Sequence, residues 1–214
     1  MKVVNKVLRV LNRLRNKEAF NSGEYWESRY KMGGGSGAGS YSNLAIFKAD
    51  YINDFVFENQ IQSVIEFGSG DGNQLSLAKY TSYLGLDVSE EALKICKQMF
   101  CEDKSKRFMN YNDFSFEQAD LTLSLDVIYH LVEDLVYENY MAKLFKASKK
   151  WVIIYSSNYN ELGSKHVRHR RFIDWIAVNQ KNYSLSAIVK NKYPFSEGNL
   201  EHTSPADFYV FVRK

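Results

Sequence analysis

Proline is nearly missing, with 2 in 214 residues. That leaves little room for a Pro-rich linker and favours one continuous domain. Cysteine is as scarce. Cys96 and Cys101 sit close together in a stretch that reads as helical, too few for a disulfide framework or a zinc site, and they read as free thiols of a reducing compartment. No run reaches the ~18 consecutive apolar residues of a membrane span. The beginning of the chain lacks an export signal, since Lys2, Lys6, Arg9, Arg13, Arg15 and Lys17 interrupt its apolar residues. These absences together imply a cytoplasmic protein. An excess of one charge is lacking too: 28 basic residues face 25 acidic ones, a net +3, too even to mark a nucleic-acid binder. No carboxylate cluster suggests a metal.

Rings are abundant, 15 Tyr and 14 Phe, which implies an aromatic-rich core and a ring-lined pocket. The organisation reads as a helical extension and lid over residues 1–60, part of the same domain as a body over 61–214. Residues 1–20 form an amphipathic helix by spacing, with Val3, Val7, Val10, Leu11 and Leu14 on one face. That face suits packing on the domain or self-association; a membrane-surface role lacks aromatic anchors apart from Phe20. The glycine-rich run Gly33–Ser40 is not a phosphate loop, having neither a preceding strand nor a Gly-Lys-Ser/Thr ending. Residues 42–59 read as a helix, capped by Ser42 or Asn43, with Leu44, Phe47, Tyr51 and Phe55 on one face.

From residue 63 onward β-rich runs alternate with helical ones. Strands are predicted at Ser63–Phe67, Tyr83–Asp87, Arg107–Tyr111, Asp120–Leu125 and Trp151–Tyr155. Helices are predicted at Asn73–Tyr80, Ser89–Phe100, Val132–Ala147 and Phe172–Val178. This is the pattern of an α/β fold, a parallel sheet with helices on both faces. Ser184–Lys190 and Phe208–Arg213 read as two further strands, antiparallel because no helix of full length joins them.

The chemistry concentrates after the first strand. Glu66 precedes Gly68-Ser69-Gly70-Asp71-Gly72, and the second strand ends in Asp87, twenty-one residues beyond Glu66. Glycines at such a turn permit positive φ and close approach of a ligand, and the crevice lies at the carboxyl ends of the strands. An acid at Asp87 can hold both hydroxyls of a ribose, which fits dinucleotides as well as other adenosine cofactors. Three details separate this turn from a nicotinamide site. Its last glycine comes one residue early, Glu66 can meet a cationic ligand, and the fourth strand ends in the polar string Asp126-Val127-Ile128-Tyr129-His130-Leu131.

These residues resemble the motifs of class I S-adenosylmethionine-dependent methyltransferases. Ile65–Gly72 is similar to the family's first motif, Leu86-Asp87-Val88-Ser89 to the second, Asn112-Asp113 to the third and Asp126–Leu131 to the fourth. The resemblance covers roughly residues 24–155. It implies a Rossmann-like, seven-stranded, mostly parallel sheet with an antiparallel last strand. It also implies S-adenosylmethionine as cofactor and S-adenosylhomocysteine as product, held by Glu66, Gly68, Gly70, Gly72, Asp87, Val88, Asn112, Asp113 and Asp126. By the same resemblance Tyr25-Trp26-Glu27-Ser28-Arg29-Tyr30 folds over the cofactor, with Arg29 on its carboxylate, Tyr25, Trp26 and Tyr30 over the sulfonium, and Gly33–Ser40 as the hinge of a lid.

For the acceptor, His130 is the candidate base. The segment His166-Val167-Arg168-His169-Arg170-Arg171 suits an anionic small molecule, with His166, His169 and Arg170 binding it and His169 a second candidate catalytic residue. Tyr41 and Tyr129 are further candidates for contacting the acceptor, with Tyr155, Ser156, Asn158 and Tyr159 nearby. The segment from Gly35 to Ala49 also resembles a narrower group of methyltransferases, associated with bacterial surface-polysaccharide synthesis. That resemblance implies O-methylation of a phosphorylated, phosphoramidate-type or nucleotide-linked sugar. The alternatives are an N-methyltransferase of a small metabolite and a nicotinamide-dependent oxidoreductase.

Overall fold

A computed structural model describes residues 20–214. The amphipathic helix expected over residues 1–20 therefore lies outside the described residues, Phe20 apart.

The strands are β1 (Val64–Phe67), β2 (Tyr83–Asp87), β3 (Lys106–Asn110), β4 (Ala119–Leu125), β5 (Ser148–Ser156), β8 (Tyr183–Val189) and β9 (Asp207–Arg213), with a separate short hairpin of β6 (Glu161–Leu162) and β7 (Arg168–His169). The seven long strands form one sheet in the order β3-β2-β1-β4-β5-β9-β8. Its first five strands are parallel, and β9 runs antiparallel to both β5 and β8. The expected seven-stranded sheet with an antiparallel last strand is the one observed.

The central strands are apolar on both faces because helices cover both. Among the described residues the helices are α1 (Ser22–Lys31), α2 (Ser42–Glu58), α3 (Glu90–Met99), α4 (Asp134–Lys146) and α5 (Phe172–Asn179), of which all but α1 pack on the sheet. One core packs Phe67, Leu86, Val152 and Ile154 with Tyr140, Met141 and Phe145 of α4 and Phe172 of α5. The other packs Leu121, Leu123, Ile153 and Phe208 with Phe47, Ile52 and Val56 of α2. Among the described residues no helix is long and apolar enough to cross a membrane.

Two local expectations are corrected. The helix predicted at Asn73–Tyr80 is only a 3-10 turn, Leu75–Leu77. Its first polar side chains bond elsewhere: Asn73 Nδ2 donates to Ser40 O at 2.6 Å and Gln74 Nε2 to Ala45 O at 3.1 Å. The N-cap of α2 is Tyr41, with no side-chain cap. Asn43, expected there, instead donates to His202 O at 3.0 Å.

Candidate active site

The glycine turn is built by the sheet beneath it. Gly68 N and Ser69 N both donate to Leu86 O, at 2.7 and 3.0 Å, tying the turn to β2. Gly70 has φ +57°, and a Cβ there would fall 2.3 Å from Ser36 Oγ. Gly72 serves packing: a Cβ there would fall 2.9 Å from the Phe100 ring. Asp87 joins two elements, accepting from Gly70 N and from Ser89 N, each at 2.9 Å. Ser89 in turn caps α3, its Oγ accepting from Ala92 N. Burial raises the Asp87 carboxyl to about 6, against the main-chain bonds that lower it. Glu66, 4% exposed, accepts from Tyr83 OH at 2.7 Å, and burial raises it to about 7.

Helix α1 lies over this turn and is fastened at three points. Ser22 donates from N and Oγ to the Glu133 carboxylate, at 2.8 and 2.7 Å. Ser89 Oγ donates to Glu27 Oε2 at 2.7 Å. Tyr30 OH meets Ser36 Oγ at 2.8 Å. Ser36 and Asp71 then bond reciprocally, Ser36 N to Asp71 Oδ2 at 2.9 Å and Asp71 N to Ser36 Oγ at 3.0 Å. The Gly33–Ser40 run expected as a hinge is thus pinned at its middle to the glycine turn, with positive φ at Gly33 and Gly37 on either side.

Beneath α1 is a cavity of about 950 Å³, at the upper end for small-molecule sites. Of the sequence-predicted cofactor residues, Trp26, Tyr30, Glu66, Gly68, Gly70, Asp87, Val88, Asn112 and Asp126 line it. Tyr25, Arg29, Gly72 and Asp113 are not among its lining residues. Arg29 donates from Nε to Gly35 O at 2.7 Å and lies over the Trp26 ring at 5.6 Å. Ser69 and Gln74 are among the lining residues, and their Oγ and Oε1 atoms are buried without a partner among the described residues. Such groups call for a ligand or water.

Sequence reasoning missed Lys48. It is 1% exposed, lines the cavity, and donates to Asp126 Oδ2 at 2.6 Å. Tyr129 OH donates to the other oxygen, Asp126 Oδ1, at 2.9 Å. Asp126 itself stands at φ +60°, a conformation aspartate tolerates and one common at functional sites.

The acceptor candidates separate. His130 lines the cavity, with the Trp26 ring edge-on at 4.9 Å. The other five candidates do not line it. Tyr41 OH holds Asp71 Oδ2 at 2.6 Å, and Tyr129 holds Asp126. His166 stacks on Tyr25 at 4.7 Å. His169 Nδ1 meets Ser157 Oγ at 2.6 Å. Arg170 donates to Leu131 O and Val132 O, at 2.7 and 2.9 Å, pairs with Asp134, and covers the Tyr137 ring. The basic segment is therefore occupied in clasping the turn after β4. Tyr155, Ser156, Asn158 and Tyr159 are likewise absent from the cavity wall.

No family model matches the sequence, and no curated protein matches it either. Solved structures do match the fold. Magnesium protoporphyrin IX methyltransferase (ChlM) from Synechocystis PCC 6803 with bound SAM is 13% identical, with a TM-score of 0.66 over 93% of this chain and 100% of that one. N-methyltransferase NodS from Bradyrhizobium japonicum WM9 in complex with S-adenosyl-L-homocysteine is 14% identical, with a TM-score of 0.62 over 79% of this chain and 87% of that one. The methyltransferase domain of a bacterial Hen1, CtHen1-C, is 22% identical, with a TM-score of 0.60 over 78% of this chain and 96% of that one. The chain has the fold of these class I methyltransferases.

Proposed function

We propose that the chain is an S-adenosylmethionine-dependent methyltransferase acting on a small molecule, with a hydroxyl as the acceptor group and an amine as the alternative. The observation that carries this reading is a single cavity lined by Gly68, Gly70, Glu66, Asp87, Ser69 and Gln74, in this fold. The residues fit the cofactor. Asp87 suits the ribose hydroxyls, Val88 and Asn112 the adenine, and the main chain at Gly68–Gly70 the amino-acid end. Glu66, Asp87 and Asp126 give the cavity a negative wall suited to a ligand with cationic groups. The bound cofactor supplies a methyl group on a cationic sulfur.

The chain's own residues then do the rest. Trp26 and Tyr30 line the cavity on its α1 side, offering ring faces to a cation. His130 stands at the wall to accept a proton or hydrogen bond from the acceptor. An anionic acceptor has less support than the segment His166–Arg171 offered, because Arg168 and Arg170 are committed to Asp134 and main-chain oxygens. A phosphorylated or nucleotide-linked sugar of surface-glycan synthesis rests on the resemblance of the Gly35–Ala49 segment, with its hydroxyl as the reacting group. The nicotinamide alternative is disfavoured by the antiparallel β9 and the early third glycine.

Isothermal titration with S-adenosylhomocysteine tests the reading. A clear isotherm is expected, abolished by Asp87→Ala and nearly unchanged by His130→Ala. Silence from the unaltered protein sinks the cofactor assignment.

A further inference from the structure

We propose that the hairpin β6–β7, with Arg170, fixes His130 as its Nδ1–H tautomer, and that the acceptor is accordingly a group that donates a hydrogen bond to Nε2, a hydroxyl or amine rather than a carboxylate or phosphate oxygen. The acceptor half rests on the methyl-transfer reading of the cavity; the tautomer half does not.

His130 Nδ1 lies 3.0 Å from the main-chain oxygen of His166. A carbonyl only accepts, so Nδ1 carries the proton, and in a neutral ring Nε2 keeps the lone pair. The ring is neutral because its close-packed surroundings lower its pKa to about 4. The groups around it are Asp126 and Tyr129 from its own turn, His166 from the hairpin, and Trp26 and Arg29 from α1. With Nδ1 committed to the hairpin, Nε2 is the nitrogen left for the cavity that His130 lines.

The carbonyl of His166 sets the tautomer only because the hairpin is held. Arg168 Nη1 donates to Val132 O at 3.2 Å, and Arg170 donates to Leu131 O and Val132 O. Both arginines meet Asp134 Oδ1, at 2.8 and 3.1 Å. The hairpin tip is braced by Gly163 N to Val167 O at 3.1 Å and Val167 N to Ser164 O at 2.8 Å. Residues 130–134 and 166–170 thus form one clasp, in which Arg170 is a positioning residue acting through His130.

The clasp has a consequence for the reaction. The acceptor heteroatom forms its bond to the methyl carbon as the carbon–sulfur bond breaks and the electron pair stays on sulfur. The proton of that heteroatom passes to Nε2, which has too little proton affinity to keep it and releases it to water. An oxygen already deprotonated would face a lone pair with no proton to share.

Nitrogen-15 spectra of the full chain with labelled histidine test the proposal without any substrate. The chain has four histidines, and His130→Gln assigns the resonance. His130 is expected as the Nδ1–H tautomer, titrating below pH 5. Arg170→Gln is expected to mix in the Nε2–H tautomer, with Arg170→Lys partly restoring the Nδ1–H form. Should Arg170→Gln not fold, Arg168→Gln loosens the same clasp. An Nε2–H ring in the unaltered protein, or no response to either arginine substitution, overturns the tautomer assignment. Inorganic sulfate, which has no proton to donate near neutral pH, added alongside S-adenosylhomocysteine should leave the His130 Nε2 resonance in place; a saturable shift overturns the donor requirement. Failure of S-adenosylhomocysteine to bind, with the tautomer as expected, defeats the methyl-transfer reading alone.

Discussion

Lys48 Nζ lies 2.6 Å from Asp126 Oδ2, and the lysine is 1% exposed. A buried pair adds little over an apolar one, but breaking it strands a charge. Asp126 keeps Tyr129 OH as a partner, so Lys48→Met should destabilise the fold by about 3 kcal/mol, at the low end for such losses. Lys48→Met combined with Asp126→Asn should cost less than the two single losses added together. Urea denaturation measures both, and a loss under about 0.5 kcal/mol for Lys48→Met would mean that water reaches the pair.

Glu66 and Asp87 give the fold an unusual pH dependence. Burial raises Glu66 to about 7 and Asp87 to about 6, above their ordinary values near 4. At these two carboxyls the native state therefore holds more protons than the unfolded chain between about pH 4 and 7, and their contribution to stability falls as pH rises through that window. His130, lowered to about 4, contributes in the opposite sense between about pH 4 and 6.5. Glu66→Gln removes one falling contribution, so relative to the unaltered protein its melting temperature should rise more, or fall less, between pH 5 and 8. Parallel melting profiles for the two proteins across that range would contradict the Glu66 shift.

Much of the fold was legible because its signals are local: Gly68–Gly72 between β1 and β2, Asp87 ending β2, and continuous apolar strands. What stayed hidden depends on distant partners. Asn73–Tyr80 has a helical composition, but Asn73 and Gln74 bond to Ser40 and Ala45, far away in sequence. The two-residue strands β6 and β7 are too short to have a period, so His166–Arg171 read as an open basic cluster. Lys48 did leave a signal. It follows Leu44 by four residues and precedes Ile52 by four, and both are buried, so a charge on that stripe needed a buried partner.

Two glycines at positive φ should respond differently to alanine. At Gly33, φ +79°, a Cβ meets nothing within 4 Å; at Gly70, φ +57°, it would meet Ser36 Oγ at 2.3 Å and Tyr30 OH at 3.1 Å. Gly33→Ala should cost only the backbone strain, about 1 kcal/mol, and leave S-adenosylhomocysteine affinity within about twofold. Gly70→Ala should displace Ser36 as well, and with it the Ser36–Asp71 bonds, weakening binding at least tenfold. Calorimetric titration compares the two, and equal affinities would mean that the Ser36 contact does not shape the site.

The roof over the cavity is held at its first residue by Glu133, which accepts from Ser22 N at 2.8 Å and Ser22 Oγ at 2.7 Å. Glu133 precedes α4 and is joined to α1 across more than a hundred residues of sequence, so this contact couples the roof to the turn that carries His130. Glu133→Ala removes both bonds at once and leaves Ser22 N, at the start of α1, without its acceptor. The two remaining fastenings, Glu27–Ser89 and Tyr30–Ser36, hold the later turns of the helix. The expected result is local opening: faster amide exchange over residues 22–26, with the amides of β1 and β4 unchanged. Glu133→Gln keeps an acceptor oxygen and should lie between the two. Dissociation of S-adenosylhomocysteine should accelerate in the same order, because a ligand under α1 leaves only when the roof lifts. Faster exchange in α1 with an unchanged dissociation rate would mean that the ligand leaves by another path.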